Sequence, residues 1–541
     1  MSVREAMYSE EGEDPNMTKV RNPIPGGWCS DPSIVRVGED YYIAASTFEW
    51  MPGVSIYHSR DMIHWERLPG ALQDDEAVNM EGMEPSCGIW APNLTYADGL
   101  FYLAYTIVYS SAHRYKDTRN FLITAQDVRG PWSKPVFLHS IGFDPSIFHD
   151  DDGRKYVVSQ TMEHRTRLKR FRGVTVQEYD PVAQRLVGKA QLVFEGTDRG
   201  VTEGPNIMKK DGWYYITAAE GGTEFGHCVT MARSRCLWGP YEVDPQNPML
   251  SSTGTDCELQ RAGHGQFVTD PEGNWYMAHL CSRPLEGKWS ILGREAAIQN
   301  IDWPEGGWPR IRGTAGTAAP RLWYDAPEAE EHPWPAVPER TVFAQGIPNQ
   351  WMTLRRSWPS CGIDPAARGG WLRVHGGNSL CSHYRQHLLA RAVSAPRCSC
   401  AMHMEFDAET PWQMAGLVFI YNCNNWYYLC KTADEDGHPT LAIFSCDNGA
   451  AHSHGVYPLP EGCRAIELSA QVRGGELQFS WALPGGEAQQ IGPVMDMRRL
   501  SDEYVSGNGF TAAMVGFGCQ DLRGDEAYAD VAWFDYRAEE E

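Results

Sequence analysis

Five times in the first 300 or so residues, a polar turn is followed by a short run of alternating aromatic and aliphatic positions. The segments are GEDYYIAAS (Gly38–Ser46), ADGLFYLAYT (Ala97–Thr106), DDGRKYVVS (Asp151–Ser159), KDGWYYITA (Lys210–Ala218) and PEGNWYMAH (Pro271–His279). Their aligned tyrosines, Tyr42, Tyr102, Tyr156, Tyr215 and Tyr276, are spaced by 60, 54, 59 and 61 residues. An acidic-Gly turn before such a run predicts a hairpin. Each repeat carries a further strand, such as VSIYHSRDMIHWE or FLITAQDVRGPWS, with a divergent fifth, SILGREAAIQNIDW. Helical periodicity is scarce. Repeats of roughly 55–60 residues with about four short strands each predict a β-propeller of five blades. A β-sandwich with fortuitous turns is the competing reading, and the regular spacing weighs against it.

The texture changes after the fifth repeat. Residues 314–342, including APEAEEHPWPAVPE, are rich in Ala, Pro and Glu and read as a linker. From Phe343 to the end, short alternating strands (CAMHMEFDA, MAGLVFIYN, WYYLCKTA, AIELSAQVR, VAWFDYRA) follow one another without the earlier repeat. They predict an antiparallel β-sandwich. The expected organisation is all-β: a flexible tail over 1–19, a propeller over 20–313, the linker over 314–342 and a sandwich over 343–541.

Composition narrows the function. The net charge of −23 repels phosphate backbones and anionic membranes, so neither nucleic acid nor membrane is expected as a partner. Neutral carbohydrate is compatible with that sign. The 20 Trp and 24 Tyr read first as β-sheet core, with stacking against sugar faces as the functional alternative, and composition alone does not separate the two. The 15 Cys contain no C-x-x-C pair, and Cys228, Cys281, Cys423 and Cys430 lie in apolar stretches. They read as buried thiols in a reducing compartment. With an acidic, polar N-terminus and no long apolar run, the expected location is cytoplasmic.

Propellers gather function at the mouth of the central channel, so carboxylates heading the blade-opening strands are the first candidates. Asp31 in SDPSIVRV and Asp144 in FDPSIFHD share an Asp-Pro-Ser-Ile motif in repeats one and three. A residue before proline is expected to be extended, at the head of its strand. Glu203 in TEGPNIMKK opens repeat four in a related way. A single Asp-Pro reads as an ordinary turn. Three in register within a propeller read as one converging site.

These motifs, with NPIPGGWCSDPSIVRVGEDYY, GIWAPNL, KDTRNFLITAQDVRGPWS, AEGGTEFGHCVTMARSR, AGHGQFV, LGREAAIQ, SDEYV and GFTAAMVGFGCQDL, resemble glycoside hydrolase family 43. The match is to its β-xylosidase branch, which carries a C-terminal concanavalin A-like sandwich. It runs from about Asn22 to Tyr536. It implies an exo-acting, inverting hydrolase releasing xylose from the non-reducing ends of short oligosaccharides. By the same resemblance Asp31 is the general base, Glu203 the general acid, and Asp144 the group that tunes and orients Glu203. Inversion requires base and acid on opposite faces of the sugar, roughly 6.5–9.5 Å apart, to admit a water. Phe48, Trp90, Thr223, His264, Arg294 and Phe510 fall on the family's sugar-binding positions, with Phe510 on a sandwich loop that reaches over the pocket. No cofactor is required. A structural calcium is optional, near His264 or near Asp521, and a homo-oligomer is expected.

The sequence departs from the family pattern at Trp28-Cys29-Ser30, at Thr161–Arg170 (TMEHRTRLKR), at Glu224 and at Met51. These positions bear on substrate preference. The same fold and acids serve an α-L-arabinofuranosidase or a bifunctional enzyme. A retaining enzyme of the invertase type would carry Asn-Asp-Pro-Asn and Arg-Asp-Pro motifs, which Ser30-Asp31-Pro32-Ser33 and Phe143-Asp144-Pro145 replace. A non-catalytic binding protein would have no need of all three carboxyls.

Overall fold

A computed structural model describes residues 18–111, 114–524 and 526–539. Of the expected tail, residues 1–17 lie outside the described residues, while Lys19 already pairs with Asp325 in a two-stranded sheet. The described residues form a five-bladed β-propeller followed by an antiparallel β-sandwich. None of their helices is long and apolar enough to cross a membrane.

Each blade is an antiparallel meander. Blade I comprises Ser30–Val37, Asp40–Ser46, Ser55–Ser59 and Glu66–Leu68; blade II, Gly88–Ala97, Leu100–Ser110, Asp117–Ala125 and Val136–Phe137. Blade III comprises Gly142–His149, Lys155–Met162, Phe171–Asp180 and Arg185–Phe194. Blade IV begins with Glu203–Lys210 and Trp213–Glu220, and blade V with Gln260–Thr269 and Trp275–Ser282. The five repeat tyrosines all lie in second strands and are all buried. Blades packed face to face bury these strands on both sides, so they read as nearly continuous apolar runs. The five first strands touch their neighbours in a closed ring, the first blade meeting the fifth. Asn22 helps close it, exchanging side-chain hydrogen bonds of 2.8 and 2.9 Å with the backbone of Ile298 in blade V.

The stretch expected to be a linker is laid against the propeller. Trp323–Asp325 pairs with Lys19–Arg21. Tyr324 is fully buried, its hydroxyl donating to the Met62 carbonyl, and Trp334 packs 4.9 Å from the His58 ring. Its aromatics supply the apolar surface to be buried; the surrounding Ala, Pro and Glu conceal that signal.

The sandwich packs a six-stranded sheet, from Leu388–Ala392 to Ala450–Pro458, on a larger one that includes Arg397–Phe406 and Tyr528–Ala538. Arg397–Phe406 alternates between buried and partly exposed positions, as expected for a sheet with one wet face. Gln413–Asn422 and Asn425–Ala433 are buried almost throughout. Their second face lies on the propeller, where Val418, Ile420, Trp426 and Met514 share one core with Phe48, Trp50 and Ile89. The two domains are therefore joined by a continuous apolar core.

Candidate active site

All five first strands carry the same local irregularity near their start. The pairing register slips between Ser30 and Ser33, Trp90 and Asn93, Phe143 and Ser146, Glu203 and Asn206, and around Gly263–Gly265. Within each bulge one residue has a left-handed backbone: Asp31 (φ 52°), Ala91 (37°), Asp144 (52°), Gly204 (53°) and His264 (48°). This corrects the expectation of an extended conformation before proline. A bulge inserts a residue and re-aims side chains, here toward the ring's axis. Asp and His tolerate positive φ better than most residues. At Gly204 a Cβ would stand 2.7 Å from His264 Nε2, so only glycine fits. The register also corrects the equivalence of the three carboxyls. Asp31 and Asp144 occupy matching positions, whereas Glu203 lies one residue earlier, in line with Ser30, Trp90, Phe143 and Gly263.

Asp31 is held by three donors. Ser46 Oγ donates to Oδ2 at 2.6 Å, Arg294 Nη1 donates to Oδ1 at 3.2 Å, and His264 Nδ1 lies 3.5 Å from Oδ1. Burial alone would raise its pKa. The Arg294 charge and the bonds from His264 and Ser46 outweigh burial and hold Asp31 well below the usual carboxylate range. Burial opposes the charged form of His264, but the bond and charge of Asp31, with the charges of Asp144 and Glu203, push its pKa upward.

Asp144 and Glu203 are shifted the other way. Asp144 accepts the Gly204 backbone N–H at 2.9 Å, yet burial and the charge of Asp31 push it up to about 6. Glu203 is pushed up to about 7 by burial, with Asp144 and Asp31 adding to the rise and Lys116 and His264 opposing it. The mouth of the channel thus holds one firmly ionised carboxylate and one carboxyl protonated near neutrality. That division of labour suits an acid and a base acting together.

Aromatic rings wall the site. Phe48 and Trp90 are both buried, with Phe510 6.0 Å from the first and 5.3 Å from the second. Phe510 belongs to the sandwich, and its loop is fastened to the propeller. Its carbonyl accepts Arg294 Nη2 at 3.2 Å and Ser30 Oγ at 3.4 Å; its N–H donates to Ser86 Oγ at 3.3 Å. Thr223 accepts Arg294 Nη1 at 3.3 Å. The structure therefore brings Asp31, Asp144, Glu203, Phe48, Trp90, Thr223, His264, Arg294 and Phe510 to one pocket.

Sequence reasoning missed three contributors. Lys116 Nζ stands 4.3 Å from the Phe143 ring centroid and 4.7 Å from that of Trp90. Phe143 itself forms part of the wall, 5.9 Å from Trp90; its place before Asp144, matching Trp90 before Ala91, was the available signal. Arg261 is buried and bonds Asp502 at 3.0 Å and Glu503 at 2.9 Å in the sandwich, and donates to the Thr223 carbonyl at 3.0 Å. It pins the two domains beside the pocket.

Calcium meets a poor donor set at both expected places. Beneath His264 the channel is lined by neutral amides engaged with one another, Asn93 donating to Asn206 at 2.8 Å and to Gln266 at 3.3 Å. The Asp521 carboxylate is occupied by backbone N–H groups of Arg523 at 2.9 Å and Ala527 at 2.9 Å. Calcium prefers six to eight oxygens, usually with several carboxylates. Among the described residues no cluster of three or more His, Cys, Asp or Glu is placed to hold a metal.

Comparison with known proteins matches residues 20–309 to Glycosyl hydrolases family 43 and residues 341–537 to the Beta xylosidase C-terminal Concanavalin A-like domain. The chain is 42% identical to Xylosidase/arabinosidase 43B of Humicola insolens, over 96% of this chain and 98% of that one. It is 39% identical to a Xylan 1,3-beta-xylosidase of Vibrio sp, over 96% and 99%. Among solved structures, the xylan beta-1,4-xylosidase from Bacillus halodurans C-125 superposes with a TM-score of 0.94 at 43% identity, covering 96% of this chain and all of that one.

Proposed function

The chain belongs to Glycosyl hydrolases family 43, and on that premise we propose that it is a β-xylosidase, removing xylose one unit at a time from the non-reducing ends of xylo-oligosaccharides. The observation that carries this reading is the unlike setting of two carboxyls in one pocket: Asp31 is bound by Ser46, Arg294 and His264, whereas Glu203 stands beside Asp144, which is tied to the next backbone N–H.

In the proposed reaction, Asp31 takes a proton from a water whose oxygen bonds to the anomeric carbon. The bond from that carbon to the leaving oxygen breaks, and this oxygen receives the Glu203 proton. The products are xylose of inverted configuration and a shortened oligosaccharide; solvent restores both carboxyls. Asp144 keeps Glu203 protonated through like-charge repulsion and holds the backbone beside it. Arg294 stands over the Phe48 and Phe510 rings and places its positive charge beside Asp31 at the sugar-binding pocket. The Phe510 loop closes the pocket over one sugar unit, which favours cleavage at chain ends.

A second reading, arabinofuranosidase activity alone or alongside the first, is favoured by the two-part name of the Humicola insolens relative. Hydrolysis of nitrophenyl β-D-xylopyranoside and α-L-arabinofuranoside, side by side, decides between them. Dominant xyloside cleavage that is lost in Glu203→Ala supports the proposal. Dominant arabinofuranoside cleavage replaces it with the second reading.

A further inference from the structure

The chain carries a net charge of −23, yet the pocket is rimmed on one side by basic loops. The run RTRLKRFR over 165–172 places five basic side chains in eight residues, and Arg114 and Lys116 approach from the preceding blade. Both loops join the second and third strands of their blades. The ends of those second strands pair with the bulged starts of the first strands, Gly88 with Val108 and Gly142 with Thr161. Arg114, Lys116 and residues 163–170 therefore stand at the mouth that holds the carboxyls.

Their side chains are arranged outward from the pocket wall. Lys116 lies over Trp90 and Phe143, and within 5.8 Å of Phe171. Among the carboxyls it acts most strongly with Glu203. Arg170 stands 5.7 Å over the next ring, Phe171. Arg114 turns the loop carbonyls inward, donating to those of His164 (3.2 Å), Arg165 (2.9 Å) and Leu168 (2.6 Å). Arg165 is paired with Glu163 at 2.5 Å and Arg172 with Glu195 at 2.9 Å. Arg167 and Lys169, both exposed, make no ion pair among the described residues. Tyr115, 66% exposed, stacks on His164 at 5.1 Å and offers a flat face beside them.

In the reading proposed above, Glu203 protonates the leaving oxygen, so the sugar on its side is the leaving group. We propose that this rim binds a leaving-group sugar bearing a carboxylate: a xylo-oligosaccharide with a uronic acid on the unit next to the cleaved bond. Lys116, Arg167 and Lys169 supply the positive field, Phe171 and Tyr115 the stacking surfaces. The patch also answers a physical need, since a protein of this overall charge would otherwise repel an acidic oligosaccharide. This inference rests on the assignment of Glu203 as proton donor.

The test compares kcat/KM for neutral xylobiose with that for xylobiose carrying glucuronic acid on its reducing-end xylose, at low and high salt. The expected acidic-to-neutral ratio exceeds one at low salt and collapses toward one at high salt. In the double variant Arg167→Glu/Lys169→Glu the ratio falls by about tenfold, the reach of two exposed charge contacts. A ratio at or below one in the wild type, or one unmoved by charge reversal, overturns the inference. Should the wild type leave neutral xylobiose uncut, the xylosidase reading fails instead. Calorimetric binding of the acidic compound to Glu203→Gln, with the same salt and charge-reversal comparisons, then decides the inference alone: salt-sensitive binding weakened by reversal upholds it, and its absence overturns it.

Discussion

The backbone N–H of Gly204 donates to the Asp144 carboxylate over 2.9 Å, tying one carboxyl of the pocket to the chain beside another. Glu203 is the neighbouring residue, so Asp144 acts on it both through space, by charge, and through the backbone, by position. Asp144 itself is fixed by a bulge at the start of its strand, its own N–H donating to Thr106 Oγ1 at 3.0 Å.

The pH dependence follows from these contacts. The competent form has Asp31 ionised and Glu203 protonated, so kcat/KM falls as pH rises through about 7, where Glu203 ionises. Asp144→Asn removes a negative neighbour, lowers the Glu203 pKa and moves the alkaline limb to lower pH. Lys116→Met removes a positive neighbour and moves it to higher pH. Opposite displacements in the two pH–kcat/KM profiles are the expected result.

Loss of the proton donor depends on the leaving group. Glu203→Gln should cost roughly 10²–10⁴ in kcat with xylobiose, whose leaving alkoxide needs a proton. With an aryl xyloside of acidic phenol the loss should be much smaller. A series of aryl xylosides of graded phenol pKa, assayed in wild type and variant, reads the difference.

The inter-domain pin carries a stability prediction. Arg261→Met leaves Asp502 and Glu503 without their buried cation, which costs about 3–5 kcal/mol. Because Arg261 also bonds the Thr223 carbonyl, KM should rise in the folded fraction. Thermal unfolding and steady-state kinetics measure the two effects separately.

Gly204→Ala tests the bulge. A left-handed alanine costs roughly 1–2 kcal/mol, and its methyl would stand 2.7 Å from His264 Nε2. The variant should lose stability and most activity together, whereas glycine-to-alanine at exposed Gly153, with open space around its Cβ, should leave kcat untouched.

The sequence made the blades legible because each second strand is buried on both faces, so Tyr102 or Tyr215 stands in an apolar run that recurs with the blade. Asp31 and Asp144 were legible through their shared Asp-Pro-Ser-Ile. Their left-handed backbone was not, because proline predicts extension for the residue before it and a bulge is a property of pairing between strands. For the same reason the one-residue offset of Glu203 was hidden: it emerges only when its pairing with Ala219 is set beside that of Ser30 with Ser46. Lys116 gave no signal because its role depends on rings from three separate strands. The strap over 314–342 was read by its Ala, Pro and Glu, while Tyr324, which anchors it, was a single residue among them.

Stereochemistry tests the central assignment most directly. Proton NMR of nitrophenyl β-D-xylopyranoside during the first moments of hydrolysis identifies the anomer formed before mutarotation. With Asp31 directing water to the face opposite Glu203, α-xylose should accumulate first from the β-linked substrate. Initial β-xylose, or the xyloside left intact, would contradict the account.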